Sequence, residues 1–327
     1  MLTKLIIQIP CLNEAETLPV ALRDLPRHVE GFDTVEWLVI DDGSTDGTAA
    51  IARKNGVDHV VELEHNQGLA KAFMAGLEYS LKAGADVIVN TDADNQYDAS
   101  CISDLVRPIL NKEALIVIGT RPVAEIEEFS PTKKLLQRFG SWVVQQVSGT
   151  RIEDAPSGFR AIHRDAAMRL NVFNEYTYTL ETIIQAGRKG IPITCVPIKV
   201  NPYLRPSRLI SSVPTYIRRS VLTILRIFVI YKPLRFFMLL AALLAVPGLF
   251  FIFRFSYFYA IGTGQGHIQS VVVGVGLLAI SGILAIGGIL ADLVATNRLL
   301  LEDLRTRILR AEIETRQLRN RSGTQSG

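Results

Sequence analysis

Cysteine is scarce in this chain, and the features of a disulfide-rich or exported protein are missing. Only three of the 327 residues are cysteines, Cys11, Cys101 and Cys195, and none forms a CxxC pair. Each lies in or beside an apolar run, which indicates a buried, reduced thiol of the kind found in cytosolic domains. We expect no signal peptide, because a strand-like run begins at Leu5 and is too short for a signal sequence.

Acidic residues are absent from one long interval. No Asp or Glu occurs between Glu181 and Asp292. The basic residues of that interval are Arg188, Lys189, Lys199, Arg205, Arg208, Arg218, Arg219, Arg226, Lys232, Arg235 and Arg254. A basic segment without acids favours anionic lipid or phosphate at the cytoplasmic side of a membrane. A topology signal alone is the alternative. The whole chain carries only +3, and we expect no nucleic-acid partner.

Two long stretches, residues 236–253 and 271–291, contain no charged side chain. Each is long enough to cross a hydrocarbon core of about 30 Å. The connection between them, residues 256–270, has no Lys or Arg, whereas basic residues flank the outer ends of the pair. The positive-inside rule therefore predicts a two-span membrane protein with the large domain and both termini in the cytoplasm.

The first part of the chain alternates strand and helix patterns, which predicts an α/β fold with a mainly parallel central sheet. Strands are predicted at 5–9, 35–40, 59–63, 87–90, 115–119 and 193–200. Helices are predicted at 14–25, 46–55, 69–81, 100–110, 133–148 and 179–189. We interpret the residues from 123 to 132 as a lid or as a plain connection, since both fit a polar loop between prolines.

The chain is thus divided into a catalytic domain (1–210), a juxtamembrane helix (211–233), two spans (234–296) and a charged helical tail (297–327). The juxtamembrane helix is amphipathic and suits the membrane interface, with an ordinary surface helix as the alternative. In the tail, apolar positions recur at spacings of three and four. These positions are Leu301, Leu304, Ile308, Ala311, Thr315 and Leu318. This spacing fits a short coiled coil and raises the hypothesis of a homo-oligomer.

Carboxylates follow two of the predicted strands. Asp41 and Asp42 end one strand, and Asp92 and Asp94 come directly after another. Ligands of open α/β sheets bind at the carboxyl ends of the strands. Two aspartates separated by one small residue can both face a hard divalent cation that bridges to substrate phosphates. The pattern predicts a site for a metal ion and a nucleotide.

The order of motifs resembles the family 2 inverting glycosyltransferases, which have the GT-A nucleotide-sugar-binding fold. The motifs are Pro10-Cys11-Leu12-Asn13-Glu14, Asp41-Asp42-Gly43-Ser44-Thr45-Asp46, Asn66-Gln67-Gly68-Leu69-Ala70-Lys71-Ala72, Asp92-Ala93-Asp94-Asn95-Gln96 and Ser157-Gly158-Phe159-Arg160. Motifs followed by two spans are similar to the polyprenyl-phosphate glycosyltransferases, which include dolichol-phosphate mannose synthase. The processive members carry a QxxRW motif, and neither Trp37 nor Trp142 lies in one.

The resemblance assigns roles on the donor side. It implies that the nucleotide-sugar contacts are Pro10, Asn13, Glu14, Asp41, Asp42, Asp92 and Gln96. Asp92 and Asp94 would hold Mg²⁺ or Mn²⁺. Capping of the following helix is an alternative role for Asn13.

The resemblance also implies the catalytic and acceptor residues. Arg121 would lie near the donor or acceptor phosphates. Asp154 would act as a base, or would orient Arg160 or the acceptor. Arg205 and Arg208 would bind the acceptor phosphate, because a planar guanidinium can bind phosphate bidentately; snorkelling to the interface is the alternative.

The sequence therefore predicts an inverting, metal-dependent transferase that moves a sugar from a UDP- or GDP-sugar to polyprenyl phosphate. A transferase for another lipid, such as diacylglycerol or ceramide, is one alternative. A catalytically silent membrane scaffold is the other, although such a protein need not retain the aspartates. Glu181 is interpreted as a solvent-facing helical acid, with a contact to the sugar as the alternative.

Overall fold

The computed structural model describes residues 4–122, 142, 144–145, 147–150, 152–172, 178–202, 222, 226 and 229–324. Two compact units are distinguished by their internal contacts. One comprises Met1–Ser220 and Leu304–Gly327, and the other is Val221–Asp303. Arg205, Arg208, the predicted lid at 123–132 and most of the predicted helices at 133–148 and 211–233 lie outside the described residues.

The first unit is built on a seven-stranded sheet. Its strands are β1 (Lys4–Cys11), β2 (Thr34–Asp41), β3 (His59–Glu62), β4 (Val87–Asn90), β5 (Ile116–Thr120), β6 (Arg160–His163) and β7 (Ile193–Pro197). Their order across the sheet is β3-β2-β1-β4-β6-β5-β7. Among the described strands only β6 runs antiparallel to its neighbours. The predicted mainly parallel α/β fold is confirmed.

Helices connect these strands. They are α1 (Leu18–Asp24), α2 (Thr48–Lys54), α3 (Leu69–Lys82), α4 (Ile102–Leu110), α5 (Arg164–Arg169) and α6 (Thr179–Arg188). The bounds of α2, α3, α4 and α6 agree with the prediction within two residues, whereas α1 begins four residues later and β7 ends three residues earlier than predicted. The sequence prediction missed β6 and α5, because they are short and their polar residues obscure any periodicity.

Residues on both faces of β1 and β4 are buried, as expected for a parallel sheet covered by helices on two sides. The close packing of α3 depends on Gly76. A Cβ atom at this position would lie 2.6 Å from the side-chain oxygen of Gln8 and 2.8 Å from Ile40. A glycine here lets α3 approach β1 and β2 closely.

The second unit contains two long apolar helices. They are α7 (Pro233–Ala260) and α8 (Ile268–Thr324), and α8 continues beyond the unit. A short 3₁₀ turn, Gly264–His267, precedes α8 where the sequence indicated only a loop. Both helices carry a long apolar stretch of which only a small share is buried. Both helices are therefore candidate membrane spans.

Small residues lie where α7 and α8 meet. A Cβ on Gly274 would lie 2.9 Å from the backbone oxygen of Gly248, so the two backbones are in close contact. The Ser281 hydroxyl donates a hydrogen bond of 2.8 Å to the carbonyl of Ala241. Such contacts between small and hydroxyl-bearing residues are typical of helices that associate in a bilayer.

The predicted start of a separate tail at residue 297 falls inside α8. From Leu304 onward the helix belongs to the first unit. There the Arg305 guanidinium binds the side chain of Asn171, and Ile313 is only 5% exposed. Leu304 and Ile308 of the predicted coiled-coil positions are exposed. Self-association through them stays a prediction.

We predict that burial of Ile313 stabilises the first unit. Ile313→Ala removes three buried carbon atoms and should cost about 2 kcal/mol or more, which lowers Tm by roughly 4–8 °C. Ile308→Ala, the same change at a position that is 59% exposed on the same helix, is the matched control. Thermal unfolding of the two detergent-solubilised variants compares them. Equal Tm values would mean that the end of α8 does not stabilise this unit.

Candidate functional site

Carboxylates converge at the carboxyl end of β1, the central strand between β2 and β4. Asp41, the last residue of β2, pairs in register with Cys11 of β1. Burial, followed by the charges of Glu14, Asp41 and Asp92, raises the pKa of the Cys11 thiol well above its ordinary value. The thiol thus stays protonated among negative charges. This edge is where ligands bind in open α/β sheets.

Hydrogen bonds join the loop after β1 to the loop after β2. The Asn13 side chain accepts a bond of 2.9 Å from the backbone N–H of Thr45, and the backbone N–H of Asn13 donates to the Ser44 hydroxyl at 2.9 Å. Asn13 has φ of 54°, a left-handed conformation that Asn tolerates better than most residues. The alternative in which Asn13 caps α1 is wrong, because its side chain binds the neighbouring loop.

Asp41 and Asp42 are adjacent but have different surroundings. Asp41 accepts a hydrogen bond from the N–H of Ser44 at 2.9 Å, within its own loop. The two oxygens of Asp42 accept bonds from the N–H groups of Gln67 at 2.8 Å and Gly68 at 2.9 Å. Successive side chains at the end of a strand point to opposite faces, which explains this division. Because both oxygens of Asp42 bind backbone N–H groups, its placement favours holding the loop before α3 over direct contact with a ligand.

Asp92 and Asp94 follow β4 in a short loop. Asp94 accepts a hydrogen bond of 3.1 Å from the N–H of Gln96. Burial and the charge of Asp94 raise the pKa of Asp92 to about 7, against the charges of Arg121 and Arg160. Ionising both carboxylates is therefore costly without a positive charge beside them.

A divalent cation fits this donor set, because two carboxylates offer the hard oxygen ligands that Mg²⁺ and Mn²⁺ prefer. Within the described ranges, no three His, Cys, Asp or Glu side chains group together as a metal site. Two protein carboxylates would leave coordination positions for phosphate oxygens and water. That arrangement is usual for cations that act together with a phosphorylated substrate.

Arg121 and Asp154 form a bidentate ion pair beside these carboxylates. The Nε and Nη2 atoms of Arg121 donate to the two oxygens of Asp154 at 2.8 and 3.0 Å. The backbone N–H of Arg121 adds a bond of 3.2 Å to the same carboxylate. Asp154 is 1% exposed. A carboxylate held in this way favours positioning of Arg121 over the role of a general base.

Arg160 is completely buried. Its guanidinium donates to the carbonyl oxygen of Ser157, to that of Thr179 at 3.3 Å and to the hydroxyl of Thr182 at 2.5 Å. These bonds join the loop before β6 to the start of α6. The burial favours a structural role for Arg160 over contact with a substrate.

Glu181, on the first turn of α6, is 6% exposed. Its interpretation as a solvent-facing acid is therefore wrong. The periodicity of the sequence did not reveal the burial of Glu181, because the side of α6 that carries this acid packs inward.

A chain of buried amides and hydroxyls lies under the site and was missed from the sequence. The side-chain amide of Gln8 donates to Asn90 at 2.9 Å. Asn90 in turn donates to the Gly158 carbonyl at 3.0 Å and to the Tyr178 hydroxyl at 2.9 Å. The available signal was the presence of Gln8 and Asn90 within otherwise apolar strands, since buried polar groups require partners.

Asn201 holds the loop that carries Asp94. Its backbone N–H donates to the Gln96 carbonyl at 2.8 Å, and its side chain donates to the Asn95 carbonyl at 3.0 Å. Asn95 has φ of 57°, so the loop turns sharply at that point. The segment after β7 thus fixes the backbone of the carboxylate loop.

The comparisons with known proteins all point to one family. A model of "Glycosyl transferase family 2" matches residues 6–171. The undecaprenyl-phosphate mannosyltransferase of Micrococcus luteus is 30% identical over 200 residues, which cover 58% of this chain and 80% of that protein. The UDP-N-acetylglucosamine–dolichyl-phosphate N-acetylglucosaminyltransferase of Methanococcus voltae is 29% identical over 216 residues, covering 58% and 83%.

Among solved structures, glucosyl-3-phosphoglycerate synthase from Mycobacterium tuberculosis has a similar fold. Its complex with phosphoglyceric acid superposes with a TM-score of 0.56 at 21% identity, covering 69% of this chain and 80% of that one. Its complex with Mn²⁺, UDP-glucose and phosphoglyceric acid gives 0.52 at 20% identity, covering 68% and 79%. The expected GT-A fold is confirmed at this level of similarity.

The Arg121–Asp154 pair leads to a prediction that separates positioning from base catalysis. If Asp154 positions Arg121, then Asp154→Asn and Arg121→Lys should each lower kcat about 100-fold, because misplacement of a reacting group has effects of that size. The double variant should be little worse than either single one, since the two residues act as a unit. Steady-state kinetics over a range of pH measures this.

Asp165→Asn, at an exposed carboxylate whose side chain is 51% accessible, is the control and should leave kcat unchanged. Thermal unfolding checks that each variant keeps its fold. Additive losses, together with disappearance of the acid limb of the pH profile in Asp154→Asn alone, would instead identify Asp154 as a base.

Proposed function

This chain belongs to glycosyl transferase family 2 and is a glycosyltransferase; from that premise we propose that it transfers a sugar from a UDP- or GDP-sugar to polyprenyl phosphate, with inversion. The observation that carries the proposal is the pair of carboxylates, Asp92 and Asp94, at the carboxyl end of a central strand. A bound cation would relieve their mutual repulsion and could in turn bind a diphosphate.

The donor site would use the two joined loops. We propose that Pro10, Asn13, Glu14 and Asp41 line the pocket for the base and ribose, with Asp42 acting through the backbone it holds. Because Asn13 and Asp41 are held by bonds to Ser44 and Thr45, such a pocket would need little rearrangement. The M. tuberculosis enzyme of similar fold was solved with UDP-glucose, which supports a nucleotide sugar here without deciding between UDP and GDP.

Asp92 and Asp94, with Gln96, would hold Mg²⁺ or Mn²⁺ and the diphosphate. The cation would offset charge on the departing diphosphate. The Mn²⁺ in the solved complex of similar fold supports a divalent metal and does not distinguish it from Mg²⁺.

The proposed reaction does not require a general base. An oxygen of the acceptor phosphate forms the bond to the anomeric carbon, and the bond from that carbon to the nucleoside diphosphate breaks. Because the acceptor phosphate is already ionised at neutral pH, no side chain has to remove a proton. Arg121, fixed by Asp154, would place positive charge near the phosphates, and catalysis would rest on orientation and electrostatic stabilisation. We propose Arg205 and Arg208 as further ligands of the acceptor phosphate.

The acceptor is inferred from the membrane and from the relatives. The curated relatives reported above are named for transfer to undecaprenyl phosphate and to dolichyl phosphate. Two candidate spans would keep the enzyme at a bilayer that contains such lipids. We propose that residues 1–210 form a cytoplasmic catalytic domain, followed by an interface helix to 233, spans to 296 and a cytoplasmic tail to 327. Anionic lipid and a second copy of the chain remain proposed partners.

We predict that Asp94→Asn abolishes transfer while the fold is kept, because the metal and diphosphate lose a negatively charged ligand. The fall in kcat/KM should be at least about 100-fold. Asp104→Asn, at an exposed carboxylate on α4, is the matched control. Transfer of radiolabelled sugar to lipid, with and without chelator, measures the effect. Full activity of Asp94→Asn, or of the wild type in chelator, would falsify the metal assignment.

A second prediction concerns the acceptor. Purified protein incubated with a panel of UDP- and GDP-sugars should yield a polyprenyl-phosphate sugar when undecaprenyl phosphate is present. Mass spectrometry of the lipid product identifies both substrates. Product from diacylglycerol or ceramide alone would favour the other lipid class. Absence of both transfer and donor hydrolysis with every nucleotide sugar would favour a silent scaffold.

A further inference from the structure

Tyr97 lies behind the carboxylate loop, five residues after Asp92, and none of the roles assigned above includes it. It is 4% exposed, and its ring stacks on Phe159 with a centroid distance of 5.1 Å and an interplanar angle of 10°. Its backbone forms an isolated antiparallel bridge with Val200. Ring and backbone are thus both fixed, so the direction of the hydroxyl is fixed as well.

The Tyr97 hydroxyl accepts a hydrogen bond of 3.0 Å from the backbone N–H of Gly158. Since a hydroxyl has one proton, that proton remains available for a carboxylate nearby. Both oxygens of Asp92 lie beside the same Gly158 backbone. Burial is the main cause of the raised pKa of Asp92, and hydrogen bonding by Tyr97 acts in the opposite direction.

Gly158 completes the arrangement. A Cβ atom on Gly158 would lie 3.1 Å from each oxygen of Asp92 and 3.0 Å from the Tyr178 hydroxyl. The carboxylate therefore packs directly against the Gly158 backbone, and the carbonyl of Gly158 is held in turn by Asn90. A larger residue at position 158 would displace Asp92. This explains why the Ser157-Gly158-Phe159-Arg160 motif has a glycine there.

We propose that Tyr97 is a positioning residue that orients the Asp92 carboxylate toward the divalent cation of the donor complex. The proposal rests on the proposed function, because the cation and the nucleoside diphosphate belong to it. A hydrogen bond from the Tyr97 hydroxyl to one oxygen of Asp92 would leave the other oxygen for the metal. Outer partners of this kind fix ligand orientation and typically change metal affinity by 10–100-fold.

Tyr97→Phe tests this, since it removes the hydroxyl and keeps the ring that stacks on Phe159. The Kd for Mn²⁺ is measured by electron paramagnetic resonance on the full-length protein with UDP and, separately, GDP, without any turnover. We expect a rise of about tenfold or more. In transfer assays the variant should need more Mn²⁺ for half-maximal rate and should recover most of its kcat at saturating Mn²⁺, a pattern that general loss of packing would not give.

Tyr79→Phe is the matched control. Its hydroxyl contacts His59 at 3.0 Å, on a helix outside the carboxylate loop, and its loss should leave Mn²⁺ affinity unchanged. Gly158→Ala is a second variant that should weaken Mn²⁺ binding by displacing Asp92. Thermal unfolding of each variant reports whether the fold is kept.

The outcomes are distinguishable. Wild-type affinity for Mn²⁺ in a folded Tyr97→Phe variant overturns the positioning role and leaves the proposed function intact. A kcat that stays low at saturating Mn²⁺ also overturns it. If the wild-type protein binds no Mn²⁺ with either nucleotide, the metal-dependent function itself fails, and the role of Tyr97 fails with it.

Discussion

Repulsion between carboxylates at the end of the central strands is the constraint on which the rest of the site depends. Asp41 and Asp92 both face the buried end of β1, and Asp94 lies two residues from Asp92. A folded chain tolerates such charges only if neighbours hold them apart and a positive partner is near. The surrounding loops meet the first condition, and Arg121 and Arg160 contribute to the second.

The loops achieve this with backbone groups more than with side chains that could move. Asp42 binds two N–H groups before α3, Asp41 binds the N–H of Ser44, and Asp94 binds that of Gln96. Beneath them, the amides of Gln8 and Asn90 support the loop before β6 from inside the sheet. A site built in this way needs little rearrangement when a ligand arrives, which lowers the entropic cost of binding.

The sequence predicted the fold well where patterns are long. The alternation of apolar strands and amphipathic helices identified the parallel sheet, and α3 was predicted to within one residue. The sequence prediction missed β6, a strand of only four residues that includes a buried arginine, because no periodicity can be recognised over so short a length.

The motifs indicated which residues belong to the candidate site, but not which contacts each of these residues makes. Nothing in the order Asp41-Asp42 shows that only the second binds two backbone N–H groups before α3. Likewise, the pairing of Asp154 with Arg121 instead of Arg160 joins residues 33 positions apart, and such long-range partners depend on topology.

Asn201 joins two segments of the domain that are distant in the sequence. Through two hydrogen bonds it fastens the chain after β7 to the turn at Asn95 and Gln96, only a few residues from the carboxylates. The position of the loop that carries Asp94 is thus coupled to the position of the chain after β7. A displacement of that segment would change the backbone beside this carboxylate.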